Sequence, residues 1–172
     1  MRLMLALASA AALAISGTAA AGQVNLAPVS YSPEFQHKLS SDLGEGEGAY
    51  LSADVTRSVT QALERRGATL GQGGLTIEVS IVSADPNRVT MQQLFRRPEL
   101  DPIRTISIGG ARLHAVIKSA DGRTLSEVDH HSTDYTLADL VGPPATWTTA
   151  ERAINQFAEK VADAYVAQAH AQ

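Results

Sequence analysis

The sequence predicts an α+β fold, a two-layer sandwich of about four mainly antiparallel strands with two principal helices packed on one face. Three observations predict it. Leu51, Val55, Val59, Ala62 and Leu63 recur at helical spacing and run up to Gly67, a natural left-handed stop. Leu75, Ile77, Val79 and Ile81 alternate with Thr76, Glu78 and Ser80, the period of a strand with one buried face. Ala150, Ile154, Phe157, Val161, Ala164 and Tyr165 form a second helical stripe near the end of the chain.

Residues 1–21 read as a secretory signal peptide. Arg2 precedes an apolar run from Leu3 to Ile15, and Ala19-Ala20-Ala21 makes an A-x-A cleavage site. The apolar run is too short to span a bilayer. Residues 22–172 are then one exported α+β domain, of ordinary size for a single core. After cleavage no stable membrane insertion is expected, and the location is the periplasm.

Gln23 to Tyr31 reads as a first strand that Pro28 confines to an edge or a bend. Ser32-Pro33-Glu34 opens a short helix reaching about Asp42, with Ser32 as its cap. Gly44, Gly46 and Gly48 alternate with Glu45 and Glu47, and this stretch reads as a loop; the two carboxylates would repel a nucleotide phosphate. The helix from Leu51 to Arg66 and the strand from Leu75 follow. Residues 85–104 form a long connection with a helical turn around Met91 to Phe95. Ile106 and Ile108 are out of phase with Leu113, Ala115 and Ile117, so a bulge is expected at Gly109-Gly110. Asp121-Gly122 signals a hairpin into a strand from Thr124 to Tyr135. Thr148 and Glu151 have capping-box spacing for the last helix, Trp147 is placed to act as its staple, and residues 169–172 are a frayed tail.

Composition excludes several classes. Lys and Arg number 14 against 18 Asp and Glu, a net charge of −4, so bulk charge recruits neither nucleic acid nor anionic lipid. No cysteine is present, which removes disulfides and thiolate chemistry; the lipid-bearing cysteine of a lipoprotein is replaced by Ala21-Gly22. No serine sits in a G-x-S-x-G elbow, no glycine run leads a strand into a helix, and nothing calls for a cofactor. Paired carboxylates such as Glu127 with Asp129 read as solvated strand positions rather than a general acid and base.

Two surfaces are candidates for binding. A two-residue loop at Asp121-Gly122 would set His114 opposite Asp129 and Arg112 opposite His131, gathering Glu78, Arg112, His114, Lys118, Glu127 and Asp129 on the sheet face away from the helices. His130 and His131 point to opposite sides, so a metal site on His114, Asp129 and His131 is the alternative reading rather than the first. The other candidate is Arg96-Arg97 on the long connection, with Leu94 and Phe95 expected to pack that loop down while the arginines stay in water.

The helix pattern over Leu51 to Gly67, the Leu75 to Ile81 strand, Gly109-Gly110-Ala111-Arg112-Leu113, the turn from Ser119 to Leu125 and the Ala-rich final helix follow one another in an order that resembles a family of uncharacterised bacterial envelope proteins, many of them lipoproteins. The small α/β domain of that family looks like the amino-terminal domain of TolB. The resemblance implies a non-enzymatic periplasmic module acting through contacts with an envelope protein, and it carries over no catalytic residues.

Overall fold

The computed structural model describes residues 22–133 and 145–171. The signal peptide assigned to residues 1–21, the end of the expected strand at Tyr135 and Gln172 of the tail lie outside the described residues.

The fold is α+β, but the described residues hold six strands rather than four, and the sheet is mixed. Strands β1 (Gln23–Leu26), β2 (Ser30–Tyr31), β3 (Thr69–Leu70), β4 (Leu75–Asp85), β5 (Gly110–Lys118) and β6 (Thr124–Ser132) are ordered β3-β1-β4-β5-β6, with β2 also paired to β4. The β4-β5-β6 part is antiparallel, as expected; β1 and β2 run parallel to β4. The expected Gln23 to Tyr31 strand divides at Pro28, which has no N–H to donate. Its first half lies against residues 75–77 and its second against Ser80 and Ile81. Helices intervene before β4, and a helical crossover returns the chain in the same direction.

Ser32 caps α1 (Pro33–Lys38), accepting from the Phe35 N–H at 3.1 Å while donating to the Val82 carbonyl at 2.8 Å. A π-helical turn, Leu39–Leu43, follows, and α2 (Glu45–Arg65) begins at once. The expected loop at 44–48 is therefore the first turn of a helix. Only Gly44 takes a left-handed angle, φ +107°. Glu45 and Glu47 sit where the helix dipole favours negative charge. Gly48 lets Leu39 approach, for a Cβ there would lie 2.6 Å from Leu39 Cδ1.

The expected bulge at Gly109-Gly110 is absent. Ile106 and Ile108 precede β5 and are exposed, because this stretch bonds back to Asn87, whose carbonyl accepts from the Ser107 N–H at 3.0 Å. The change of face falls in β4, where the register shifts between Ile81 and Ser83 and turns Ala84 inward. The hairpin register is as expected, His114 opposite Asp129 and Arg112 opposite His131. The turn differs: Gly122 alone has positive φ, +84°, and a second shift near Ile117 and Lys118 absorbs the extra residue.

The last helix, α4 (Thr148–Ala169), starts where expected but without the expected capping box. Glu151 instead accepts from the Tyr50 hydroxyl of α2, which pushes that phenol up to about 12. Leu51, Val55, Val59 and Leu63 of α2 and Ile154, Phe157, Val161 and Tyr165 of α4 bury against Ile77, Leu113, Ala115 and Ile117 of the sheet. Trp147 joins this core.

Candidate functional site

The sheet face opposite the helices assembles as a charged ladder across three strands. Lys118 Nζ lies 2.7 Å from each carboxylate oxygen of Glu78, and His114 Nδ1 lies 3.1 Å from Asp129 Oδ1. Arg112 and Glu127, both exposed, face His131 and Val116 across the register. These are the neighbours that period-two alternation brings to one face, and cross-strand pairs of this exposure contribute only tenths of a kcal/mol up to about 1 each. His130 points the other way. Lys160 Nζ, which can only donate, lies 3.0 Å from its Nδ1, so Nε2 carries the proton toward Gln156 Oε1 at 3.2 Å. Among the described residues no three His, Cys, Asp or Glu side chains gather to hold a metal ion, which argues against the His114, Asp129 and His131 alternative.

The connection from β4 to β5 holds the expected helical turn. Thr90 and Gln93 form a reciprocal capping box that starts α3 (Met91–Arg96): Thr90 Oγ1 accepts from the Gln93 N–H, and Gln93 Oε1 accepts from the Thr90 N–H. Threonine followed three positions later by glutamine was the sequence signal for it. Every polar arm on one side of α3 is then tied to the π turn. Gln93 Nε2 donates to Asp42 Oδ2 at 2.7 Å and Arg97 to Asp42 Oδ1 at 2.8 Å, so one carboxylate holds both. Arg96 donates to the Ser41 carbonyl, and Gln92 Nε2 to the Ser40 carbonyl at 3.4 Å.

The expected arrangement holds for the arginines, which stay exposed while donating to carbonyls and a carboxylate, and for the half-buried Leu94, but not for Phe95, which stands 90% exposed, with Met91 one turn earlier at 77%. Ile103, Ile106 and Ile108 on the same connection are exposed as well. Five of the seven exposed large apolar residues among those described thus belong to one connection. Sequence reasoning missed Phe95 as a surface residue, because its apolar character argues for burial and the contacts that seat α3 lie far away in the sequence.

Beside α3 runs an open groove of about 610 Å³ between Met91 and Phe95 on one wall and Leu43, Gly44, Glu45, Gly46 and Glu47 on the other. A second hollow of about 270 Å³ lies under the connection, where Asp42 is paired with Arg97 and Lys38 with Asp85. Neither is lined by a histidine. Among the described residues no helix is long and apolar enough to cross a membrane.

No family model matches the chain, and no curated protein matches it. Among solved structures it is similar to a minor lipoprotein from Acinetobacter baumannii, at 11% identity over 85% of this chain and 93% of that one, with a TM-score of 0.36. It is also similar to a Helicobacter pylori protein described as a neuraminyllactose-binding hemagglutinin homolog, at 11% identity over 88% of this chain and 82% of that one, again with a TM-score of 0.36. This is a distant structural resemblance. It carries no argument about ligand or activity.

Proposed function

We propose that this chain is an exported, periplasmic, non-enzymatic binding module of a bacterial envelope complex, and that it docks a protein partner through the α3 pole. The observation that carries the reading is Phe95, a nine-tenths exposed aromatic on a helix whose other side is fastened by a capping box and by Asp42. Exposed aromatic anchors held rigid in the free protein are the usual centres of interface energy, because little ordering entropy remains to be lost on docking. The leader at residues 1–21, a likeness of element order to the TolB amino-terminal domain, and a site chemistry without thiol or converging metal ligands support the location and the non-enzymatic class.

Arg96 and Arg97 act in this reading as positioning residues that hold α3 in place. The charged sheet face of Glu78, Arg112, His114, Glu127 and Asp129 is the second proposed contact. A photo-crosslinking amino acid at position 95, activated in intact cells, is expected to trap one protein reproducibly, and Phe95→Ser is expected to release that protein while leaving thermal stability unchanged. A position-95 probe that traps nothing, beside one at His114 that does, would move the contact to the sheet face.

A further inference from the structure

We infer that the groove between α3 and the first turn of α2 receives a linear segment of the partner, one presenting an apolar side chain next to a lysine or arginine; the inference rests on the docking role proposed above. Three glycines open α2, and two are explained by the fold. Gly44 needs its positive φ, and Gly48 needs to clear Leu39. Gly46 needs neither. It lacks a positive φ, it is exposed, and a Cβ built on it would meet nothing within 4 Å. Glycine in a helix interior is less favourable than alanine by up to about 1 kcal/mol, and Gly46, in the first turn of α2, carries part of that cost. A residue that weakens its own helix without serving the fold, on the wall facing Met91 and Phe95, keeps the groove open for something that is not part of this chain.

The chemistry of that occupant follows from the lining. Met91 and Phe95 offer a thioether and a ring, which adapt to aliphatic and aromatic side chains. Glu45 lies exposed on the opposite wall, and among the described residues no cation stands within ion-pair distance of it. Glu47 is already engaged with Trp147, and Arg96 has turned to the Ser41 carbonyl. The groove therefore joins an apolar wall to an exposed carboxylate that the start of α2 favours but that no cation among the described residues pairs. An anionic lipid surface or an acidic segment would meet Glu45 at a cost, whereas a basic and apolar segment satisfies both walls.

Panning the full exported chain against a phage library of linear peptides tests this. Enriched peptides are expected to carry an aromatic or aliphatic residue beside Lys or Arg. Gly46→Trp, which the open space around Gly46 admits, and Glu45→Lys are each expected to weaken a selected peptide about tenfold or more at a temperature where both variants stay folded, Gly46→Trp melting no lower than the unaltered chain and Glu45→Lys slightly lower, since it reverses the charge at the start of α2. Gly46→Ala, which adds a single methyl, separates groove filling from any change in the helix and is expected to weaken the peptide less than tryptophan does. Peptides without a basic residue, or equal binding to Gly46→Trp, would overturn the inference. A cellular crosslink from position 95 that survives Gly46→Trp would leave the docking role standing and remove the groove; no crosslink in the unaltered chain would remove both. Binding to phosphatidylglycerol vesicles that Phe95→Asp abolishes, with no peptide enriched, would replace the protein partner by a membrane and overturn the inference equally.

Discussion

The indole Nε1–H of Trp147 donates to Glu47 Oε2 at 2.6 Å, which ties the residue before α4 to the first turn of α2 across 100 positions of sequence. One wall of the groove is therefore held by the last helix of the chain. Trp147 is buried, so its N–H has no water to fall back on, and a bond to an ionised acceptor contributes about 1.5–3 kcal/mol. Trp147→Phe keeps most of the ring and removes the donor. Urea denaturation is expected to show a loss in that range, and a loss under about 0.5 kcal/mol would show the bond to be idle.

Two neighbouring glycines are expected to respond with opposite signs. Gly46→Ala places a methyl in open space and improves helix propensity, so it should stabilise by up to about 1 kcal/mol. Gly48→Ala drives a methyl to 2.6 Å from Leu39 Cδ1, a buried side chain, and should destabilise by about 1–3 kcal/mol. Thermal melts of the two variants side by side decide the matter. Equal shifts would mean that α2 does not begin as described.

Asp54 gives a pH dependence. Its side chain is almost wholly buried on α2; Arg57 holds one carboxylate oxygen, and the other, Oδ2, has no hydrogen-bond partner among the described residues. Burial raises its pKa above the ordinary 3.8, Arg57 lowers it in part, and Glu151 adds to the rise. The folded state therefore binds the proton more tightly than the unfolded chain. The stability this adds is fully present below the unfolded pKa and is lost as pH rises through the folded one. Asp54→Asn is expected to melt higher than the unaltered protein at neutral pH, with the gap closing in acid. A gap that is constant across that range would exclude titration of Asp54 as its source.

Tyr165 on α4 donates its hydroxyl to the Gly22 carbonyl at 2.7 Å, and burial pushes its phenol up. The contact fastens the start of β1, directly after the expected cleavage site. Tyr165→Phe should cost about 0.5–1.5 kcal/mol, since Gly22 is exposed and water can take over the acceptor. Amide exchange is expected to speed up at Gln23–Leu26 and stay slow along α4. Unchanged exchange in β1 would show that the strand is held by its pairing with β3 and β4 alone.

The parts legible in the sequence are those that local periodicity encodes. Leu51 to Leu63 at 3.6 and Leu75 to Ile81 at 2.0 name a helix and a strand with their buried faces, since each side chain's direction follows from its own backbone. A turn at Asp121-Gly122 points to the pairing of His114 with Asp129, and the strands keep it although the turn takes one residue more, because the shift near Ile117 and Lys118 restores the register that buries one face.

Contacts between distant segments carry no such periodicity. The parallel seat of β1 and β2 on β4 depends on where the intervening helices return the chain, and Pro28 marks only the break between them. Phe95 is outward because Asp42, 55 residues from Arg97, accepts from both Arg97 and Gln93, and because the Ser40 and Ser41 carbonyls take Gln92 and Arg96. A short amphipathic helix has one face that must be satisfied, and its hydrophobicity names the apolar side. Here a carboxylate and two carbonyls of a segment distant in sequence hold the polar side, and the aromatic one is left to water.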